Sequence, residues 1–362
     1  MTQRVIAHVD IDYFYAQAEE LRKPELKGKP IAICMFSGRT EFSGAVATAN
    51  YRARELGVHA GMPIAFAKKK SKELILIPAD RAYYSEVSAR VMDILRAHSD
   101  EFEQVGIDEA YLDITKKTQS SFVSARKIAQ DAKAQVLEEE KLTCSVGVGP
   151  NKLIAKMASS FKKPAGLTIV APAEVKDFLR AMRIADLHGI GPKTVEVLAE
   201  KKITTIPKLA QTPVANLQEW FGENKGLMIH EKALGEDDSA VEEKEKQQYS
   251  RIMTLKEDTS SPEKLFEESR ALADELAKKS NENGVHFKTV SIMLISSKLE
   301  AVTRSKTLER PAQKEEEILA TAKELFGQFF SEKPGFVVRR FGLRVSNFSQ
   351  SAREKQKSIF DF

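Results

Sequence analysis

Two neighbouring carboxylates, Asp108 and Glu109, stand at the centre of the stretch 105–113, which reads VGIDEAYLD. They follow Gly106 and precede an apolar run, a pattern typical of a buried β-hairpin rather than of a solvated acidic surface. Successive side chains of a regular strand point to opposite faces, so both acids can serve one site only where a turn or bulge interrupts the strand. Gly106 permits such an interruption.

A second strand, residues 5–12 (VIAHVDID), also carries carboxylates at its end, Asp10 and Asp12. Carboxylates without thiols or a histidine cluster favour a hard divalent cation that prefers oxygen ligands, Mg²⁺ first and Mn²⁺ second. The two stretches together therefore indicate a metal site. Either one alone is also consistent with acids at a strand end that face water.

Small residues fill much of the stretch 44–54 (GAVATANYRAR), where the pattern predicts a helix that ends at Gly57. Tyr51 and Arg54 stand three residues apart, so a helix places them on one face. Because arginine pairs bidentately with phosphate oxygens, these two residues and the hydroxyl of Thr48 indicate a phosphate grip. The alternative is an ordinary surface arginine beside a core tyrosine.

The elements around the two acidic stretches follow a βαββαβ order, which predicts a sheet with helices on one face. After the first strand they are a helix at 81–98, the acidic hairpin, a helix at 121–140, a strand at 142–148 and a helix at 153–160. A basic turn at 161–166 ends this layer. Its Lys163 either neutralises a triphosphate or lies in a solvated loop.

Short helices follow Pro172, and residues 184–194 (IADLHGIGPKT) match the hairpin of a helix-hairpin-helix element. Gly189 and Gly191 leave backbone N–H groups exposed at a helix N-terminus, where they can donate hydrogen bonds to a phosphate oxygen. Lys193 follows and adds a positive charge. Such a contact does not read the base sequence. A plain connection between two helices is the competing interpretation.

A charged segment poor in apolar residues, 235–248, marks the clearest domain boundary in the chain. Beyond it, a second βαββαβ order, which includes a helix at 262–282 followed by a strand at 285–296, predicts a small sheet backed by two helices. Its strands at 285–308 and 336–346 carry one acid, Glu300, and seven basic residues: Lys288, Lys298, Arg304, Lys306, Arg339, Arg340 and Arg344. A sheet with one basic face suits contact with a DNA backbone, although such charges could also just keep an exposed sheet soluble.

Composition sets bounds on the rest of the protein. The 362 residues allow about two to four compact domains, and the formal net charge of +4 permits nucleic-acid binding. Cys34 and Cys144 lie in apolar runs without a metal-ligand spacing, which predicts core thiols in a reduced compartment. No apolar run reaches the length of a membrane span and no signal peptide opens the chain, so a cytoplasmic monomer is expected.

The C-terminal stretch 349–362 ends in QKSIFDF. Gln356, followed by Ile359 and then by Phe360 and Phe362, is a pattern typical of a peptide that docks on a larger surface. The reason is that a disordered polar tail rarely ends in exposed phenylalanine. A frayed terminus without function is the alternative.

Four stretches resemble, in this order, the Y-family translesion DNA polymerases of the DNA polymerase IV type in their archaeal form, and the resemblance covers nearly the whole chain. They are 9–17 (VDIDYFYAQ), 47–54 (ATANYRAR), 107–113 (IDEAYLD) and 162–166 (KKPAG). The resemblance implies an α+β right hand. Its parts would be a ferredoxin-like palm at 1–10 and 79–170, small fingers at 11–78, a helical thumb at 171–235, a linker at 236–247, a little-finger domain at 248–346 and a tail at 347–362.

For the active site, the resemblance implies that Asp10, Asp108 and the carbonyl of Ile11 bind two Mg²⁺ ions, with Mn²⁺ as a substitute. Glu109 would be the third catalytic acid and a further metal ligand. One ion then lowers the pKa of the primer 3′-hydroxyl and the other holds the triphosphate. Tyr15 takes the steric-gate position under the sugar of the incoming deoxynucleotide.

The same resemblance assigns the binding surfaces. The incoming triphosphate would contact Tyr13, Phe14, Thr48, Tyr51, Arg54 and Lys163. The backbone of primer–template DNA would contact Gly189, Gly191 and Lys193 in the thumb and Lys298, Arg304, Arg339 and Arg340 in the little finger. The tail resembles a sliding-clamp-binding peptide, with Gln356, Ile359 and either Phe360 or Phe362 as anchors.

The implied activity is template-directed addition of deoxynucleotides to a primer 3′ end, with low fidelity and lesion bypass. No proofreading exonuclease domain fits in the remaining length. Two other classes stay open on the residues alone. A nucleotidyl cyclase could use a similar palm but has no need of Gly189 and Gly191, whereas a noncatalytic DNA-binding scaffold has no need of Asp10, Asp108 and Glu109 together.

Overall fold

The computed structural model describes residues 3–350, and the side chains of residues 3–349. The chain divides into two compact units. The first comprises the chain up to residue 34 with segments 46–62 and 66–244, and the second comprises segments 35–45 and 63–65 with the chain from residue 245. The predicted docking residues Gln356, Ile359, Phe360 and Phe362 lie outside the described residues.

The chain up to Pro78 alternates strands with short helices. Its elements are β1 (Ile6–Ile11), α1 (Phe14–Arg22), β2 (Ile31–Phe36), β3 (Gly44–Ala49), α2 (Tyr51–Glu55), α3 (Ile64–Lys70) and β4 (Ile75–Pro78). Strands β3, β2 and β4 form the three-stranded sheet of the fingers, in that order.

The expected helix over 44–54 is only partly present, because residues 44–49 form strand β3 and helix α2 begins at Tyr51. Asn50 sets this boundary, since its side chain accepts a hydrogen bond from the N–H of Ala53 at 3.0 Å and so caps the helix. Gly44 has φ +135°, and a Cβ there would lie 2.1 Å from the carbonyl oxygen of Met35. The small residues thus allow close packing in a strand. Their helix propensity alone favours a helix instead.

Residues 81–169 complete the palm. Its elements are α4 (Arg81–Ala97), β5 (Glu101–Gln104), β6 (Glu109–Asp113), α5 (Thr115–Thr118), α6 (Phe122–Glu140), β7 (Cys144–Gly149), α7 (Lys152–Phe161) and β8 (Leu167–Ile169). The strand order β5-β6-β1-β7 confirms the predicted ferredoxin-like sheet. Strand β8, which was not predicted, adds to β7 in parallel.

Helices cover both faces of the palm sheet, so the expectation of helices on one face is wrong. On one side, alternate residues such as Val9 and Val146 share an apolar core with α4 and α6. On the other side, α7 packs directly on the sheet. A Cβ at Gly147 would lie 2.1 Å from the backbone nitrogen of Ser159, so the glycines of β7 allow α7 this close approach.

The thumb is helical, as predicted. Its helices are α8 (Val175–Arg180), α9 (Pro192–Glu200), α10 (Ile206–Gln211), α11 (Val214–Phe221) and α12 (Glu223–Leu234), with single 3-10 turns at Pro172–Glu174 and Ile184–Asp186. The charged segment that follows has no helix or strand from 236 to 247. Up to Lys244 the segment nevertheless belongs to the same compact unit as the palm. The carboxylate of Asp237 accepts a hydrogen bond from the N–H of Leu153 at 3.0 Å, and the side chain of Val241 is buried.

The little finger has the predicted βαββαβ order. Its elements are β9 (Gln248–Thr259), α13 (Pro262–Glu282), β10 (Val285–Ser296), β11 (Ala301–Ala312), α14 (Glu315–Glu332) and β12 (Val338–Gln350). All neighbouring strands are antiparallel, in the order β11-β10-β12-β9. Phe341, Leu343 and Val290 lie on the face that α13 and α14 cover, and they form its core with Phe326 and Phe329.

The two faces of this sheet differ from the single basic face expected from the sequence. Arg304 pairs across the ladder with buried Ile292, so it points to the helix side, where it bonds Glu332 at 2.9 Å. Lys306 likewise bonds Glu324 of α14. The open face instead carries short hydroxyls and two arginines, in cross-strand pairs such as Ser250 with Arg344 and Thr254 with Arg340.

Both cysteines lie within the described residues. Cys34 and Cys144 are buried free thiols, as predicted. Among residues 3–350, no helix is both long enough and apolar enough to cross a membrane.

Candidate active site

Strands β1 and β6 lie side by side in the palm sheet and bring the predicted acids together. Asp10 pairs with Glu109 in the antiparallel register, and the N–H of Ile11 donates to the carbonyl of Asp108 at 2.8 Å. A Cβ at Gly106 would lie 3.1 Å from Glu109 Cγ and 3.3 Å from Asp108 Oδ1, so the missing side chain leaves room for both acids. Three carboxylates from two distant parts of the sequence therefore meet where β1 ends and β6 begins.

Two lysines neutralise these acids. Lys163 Nζ bonds Asp10 Oδ1, while Lys156 Nζ bonds Glu109 Oε2 and lies 3.6 Å from Asp10 Oδ2. Lys163 was predicted at this site and Lys156 was not. The sequence did contain a signal for Lys156. It lies within the predicted helix at 153–160, four residues after Lys152 and among apolar residues. A lysine on a buried helix face requires an anionic partner.

The two neighbouring acids differ in their affinity for protons. Burial, followed by the charges of Asp10 and Glu109, raises the pKa of Asp108 to about 6. The close approach of His8, followed by the hydrogen bond from Lys156, lowers the pKa of Glu109 to about 2. Glu109 is therefore ionised across the neutral range, whereas ionised Asp108 is stabilised less and would gain most from a nearby cation.

His8 lies behind Glu109 and is fully buried. Its Nδ1 is 2.8 Å from Ser159 Oγ, its Nε2 is 3.6 Å from Glu109 Oε2, and its ring contacts Tyr111 edge-on at 4.6 Å between centroids. Burial lowers the pKa of His8 to about 4, so the ring is neutral near pH 7. His8 thus lies against Glu109 as a neutral ring anchored on Ser159, a contact that the sequence did not reveal.

Asp12, the second acid of the first stretch, does not join this cluster. Its carboxylate is fully buried and accepts from Ser145 Oγ at 2.7 Å and from the N–H of Ala165 at 2.8 Å. Both oxygens therefore have protein donors. Asp12 therefore supports the 161–166 turn and does not join the acidic cluster of Asp10, Asp108 and Glu109.

The acids fit a divalent cation in their donor chemistry. Within residues 3–350, no three His, Cys, Asp or Glu side chains are already grouped around a metal position. Lys156 and Lys163 bond oxygens of Glu109 and Asp10. The ligands offered are carboxylate oxygens, and burial followed by the charges of Asp10 and Glu109 raises the pKa of Asp108, so a hard cation would favour its ionised form.

Tyr15 lies beside the acids on α1. Its ring stacks on the fully buried ring of Tyr84, with 4.6 Å between centroids and 23° between planes. Burial and the charge of Asp108 raise the pKa of Tyr15, which places its hydroxyl in the field of the acidic cluster. A ring supported on one side by a buried ring forms a rigid wall for a ligand.

The predicted phosphate residues meet around Tyr51. The guanidinium of Arg54 lies 5.0 Å from the centroid of the Tyr51 ring, and the ring of Tyr13 contacts it edge-on at 5.1 Å. The Tyr51 hydroxyl is buried and has no hydrogen-bond partner within residues 3–350. Thr48 is half-buried on β3, whereas the Phe14 ring is buried in the core, so only the backbone of Phe14 can meet a ligand.

In the thumb, Gly189 has φ +90°, and Gly191 precedes α9 as its N-cap. Lys193 is exposed in the first turn. A Cβ at Gly189 would lie 2.4 Å from Lys232 Nζ, which donates to the carbonyl of His188 at 3.1 Å. The hairpin thus has the geometry expected for backbone donors at a helix start.

Sequence comparisons follow the same division of the chain. Residues 9–160 match the impB/mucB/samB family, residues 246–359 match the C-terminal domain of that family, and residues 185–237 match the DNA polymerase-iota thumb domain. A DNA polymerase IV from Methanosarcina acetivorans is 42% identical over 100% of both chains. Another from Nitrosopumilus maritimus is 42% identical over 98% of each.

Solved structures agree with these relatives. A Y-family DNA polymerase chimera of Dbh and Dpo4 has a TM-score of 0.91 at 33% identity, and the match covers 96% of this chain and 100% of that one. The chain belongs to the Y family of DNA polymerases. An insertion ternary complex of Dbh DNA polymerase also matches, with a TM-score of 0.71, 33% identity and the same coverage.

Membership of the Y family confirms the fold class and the enzyme class expected from the sequence. This Y-family chain is a DNA-directed DNA polymerase that carries out low-fidelity translesion synthesis on a template, and it depends on a divalent metal. The nucleotidyl cyclase and the noncatalytic scaffold are therefore excluded.

Proposed function

We propose that the chain extends a primer 3′ end by two-metal phosphoryl transfer with Mg²⁺, and that Asp10, Asp108, Glu109 and the Ile11 carbonyl are the metal ligands. The convergence of the three carboxylates where β1 ends and β6 begins carries the proposal. Mg²⁺ held there would lower the pKa of the primer hydroxyl and neutralise the triphosphate. Mn²⁺ shares the preference for oxygen ligands and would substitute.

Lys163, Arg54 and Tyr51 hold the triphosphate in this proposal. The buried Tyr51 hydroxyl supports it, because a donor without a partner is costly unless a ligand oxygen accepts from it. Thr48 adds a hydroxyl, and the N–H groups of Tyr13 and Phe14 lie at the start of α1, where a helix favours anions. Lys163 exchanges its bond to Asp10 for a phosphate oxygen when nucleotide binds.

Tyr15 selects the sugar. Because its ring is stacked on Tyr84 and cannot retreat, a 2′-hydroxyl above it would clash. We expect Tyr15→Ala to raise ribonucleotide incorporation relative to deoxynucleotide incorporation by at least about tenfold. Single-turnover incorporation of matched ribo- and deoxynucleotides measures this, and unchanged discrimination would remove Tyr15 from the role.

The DNA backbone is held by the thumb hairpin and by the little finger. Gly189, Gly191 and Lys193 offer backbone donors and a cation to one strand. In the little finger, Lys298, Arg339 and Arg340 remain as proposed contacts, and Arg344 joins them because it lies on the open face. Arg304 is withdrawn from this set, since Glu332 pairs with it on the helix side.

A primer-extension assay with Mg²⁺ tests the metal site directly. The comparison is between the unmodified chain and Asp108→Ala, each with and without a template strand. Extension that requires both the template and Asp108 supports the proposal. Full incorporation by Asp108→Ala would overturn the metal assignment.

The tail is proposed to bind a sliding clamp through Gln356, Ile359 and one of Phe360 and Phe362. Its support is the sequence pattern alone. Deletion of 355–362 should leave basal extension unchanged and abolish stimulation by a clamp. Stimulation that persists after the deletion would show that the clamp docks elsewhere.

We also propose that the polymerase acts as a monomer in the cytoplasm, with primer–template DNA and an incoming deoxynucleotide as its substrates. Sedimentation of the purified protein tests the oligomeric state, and a stable dimer would contradict it. Fractionation of the source cells tests the compartment.

A further inference from the structure

The turn that carries Lys163 is held by several side-chain hydrogen bonds. Asp12 accepts from the N–H of Ala165 at 2.8 Å, and Ser145 Oγ accepts from the N–H of Gly166 at 3.3 Å while donating to Asp12 at 2.7 Å. Lys133 Nζ donates to the carbonyls of Ala165 and Gly166 at 2.7 Å and 2.9 Å. Both the donors and the acceptors of two consecutive turn residues are thus engaged.

The backbone of this turn needs such support. Ala165 has φ +53°, in the left-handed region that residues with a Cβ seldom adopt. A Cβ at Gly166 would lie 1.8 Å from the carbonyl oxygen of Lys162, so the chain folds back closely on itself there. Without its buried partners, a turn of this shape would relax to a more favourable conformation.

The bonded residues connect the turn to the catalytic strand. Asp12 comes two residues after Asp10, beyond the end of β1, and is fully buried. Lys163, two residues before Ala165, bonds Asp10 itself. The first acidic stretch therefore contacts the turn twice. Asp12 holds the turn backbone, and Asp10 bonds the side chain of Lys163.

We propose that Asp12 is a positioning residue, assisted by Ser145 and Lys133, that holds the 163–166 turn so that Lys163 reaches the triphosphate site. Asp12 acts by accepting a hydrogen bond and not by binding metal or contributing charge. The inference rests on the proposed role of Lys163 in nucleotide binding and adds the element that sets its position.

The chemistry of Asp12 separates this role from that of a metal ligand. An asparagine at position 12 can still accept from Ala165 through its amide oxygen, and its NH₂ group can donate to Ser145 Oγ. Asp12→Asn should therefore keep nucleotide affinity within about twofold of the unmodified chain, whereas Asp12→Ala should weaken it at least about fivefold. A carboxylate that bound metal through its charge would be impaired in both variants, because both substitutions remove the negative charge.

The test is a double-mutant cycle with Lys163→Ala. Affinity for a fluorescent deoxynucleotide is measured on the enzyme–DNA complex with Ca²⁺, an oxygen-preferring cation, in place of Mg²⁺, so that binding is read without turnover. Lys163→Ala should weaken binding at least about tenfold. Asp12→Ala should then add less than about twofold in the Lys163→Ala background, because its effect passes through Lys163.

Ser145→Ala repeats the cycle in case Asp12→Ala does not fold, with an expected weakening of at least about threefold. Ser280→Ala is the matched control, because Ser280 is a fully buried serine in the little finger whose hydroxyl donates to Leu276. It should leave nucleotide affinity unchanged.

Three results would overturn the inference in distinguishable ways. Equal impairment of Asp12→Asn and Asp12→Ala would show that the charge matters. Fully multiplicative effects of Asp12→Ala and Lys163→Ala would show that Asp12 acts independently. Unchanged affinity in Lys163→Ala would refute the proposed role of Lys163, and the positioning role would fall with it.

Discussion

The palm and the little finger share one element order, βαββαβ, and use it in different ways. In the palm the first and third strands, β1 and β6, are neighbours in the sheet. In the little finger the second and fourth strands, β10 and β12, are neighbours, and the first strand is at an edge. The order of elements along the chain therefore does not determine which strands meet.

The difference decides where polar groups are placed. The palm covers both faces of its sheet with helices, so its functional groups emerge at the strand ends, as Asp10 and Glu109 do. The little finger leaves one face open, so its polar groups lie across that face, as Arg344 and Ser291 do. A site at a strand end concentrates charge for chemistry, whereas a site across a face spreads weak contacts over a backbone.

The largest effect is expected from Asp108→Ala in the palm. Removing a carboxylate that is proposed to bind metal should lower the rate of nucleotide incorporation by at least about a thousandfold, because charge neutralisation is expected to be the main source of catalysis. DNA affinity, measured by anisotropy, should stay within about threefold, since phosphate contacts elsewhere supply it. A large loss of DNA affinity would show that Asp108 contributes to DNA binding as well as to catalysis.

A core substitution in the little finger should act on stability and not on chemistry. Phe341 is fully buried against Phe326, so Phe341→Ala should lower the free energy of unfolding of this domain by about 3–5 kcal/mol. Hydrogen exchange should accelerate in peptides from 248–349 and remain slow in β1 and β6. Equal acceleration in β1 would show that both sheets unfold together.

Ionised Asp108 should oppose stability in the absence of metal. Asp108 has a raised pKa, so its ionised form is disfavoured in the fold above about pH 6, and this cost disappears below the pKa of the unfolded chain near 4. In EDTA, Asp108→Asn should therefore be more stable by about 2 kcal/mol at pH 8, with little gain at pH 4. Denaturant unfolding at both values measures the difference.

Glu109 supplies a control of opposite sign for that experiment. Its pKa is lowered, so it stabilises the fold above the unfolded value near 4.5, and this contribution is lost as the pH falls towards 2. Glu109→Gln should therefore destabilise the protein at pH 8. A stabilising effect of both substitutions would contradict the assigned difference between the two acids.

The smallest effects are expected on the open face of the little finger. Arg344→Ala should weaken DNA binding about three- to tenfold and reduce the slope of log affinity against log salt by about 1. Arg304→Ala should leave the slope unchanged, because Glu332 already pairs with Arg304. Equal slopes for the two variants would contradict the assignment of faces.

Elements with strong local signals were predictable from the sequence. The helix at 262–282 and the strand at 285–296 agree with the structure at both ends. Ser261 explains the first boundary, since its side chain accepts from the N–H of Lys264 and Pro262 follows it. The acidic hairpin was predictable for the same reason, because Gly106 and the apolar run after it are local features.

Features that depend on register were not predictable. The ladder of β10 and β11 pairs Ile292 with Arg304 and Val290 with Lys306, so both basic side chains lie on the face that the helices cover. Because side chains alternate between the two faces of a strand, basic residues on several strands do not by themselves define one basic face. His8 was missed because its partner Ser159 adjoins it only after the sheet and α7 have packed, and the spacing of Lys152 and Lys156 indicated an anionic partner without identifying it as Glu109.

The hydroxyl-rich face of the little finger has a consequence for movement. Thr289 bonds Thr307 and Ser305 bonds Ser291 across the strands, so several hydroxyls of this face already satisfy one another. A duplex lying on such a surface would find few strong new partners, and each advance by one nucleotide would replace shallow contacts with equivalent ones. We therefore expect the open face to let the duplex step easily and to favour brief residence on DNA.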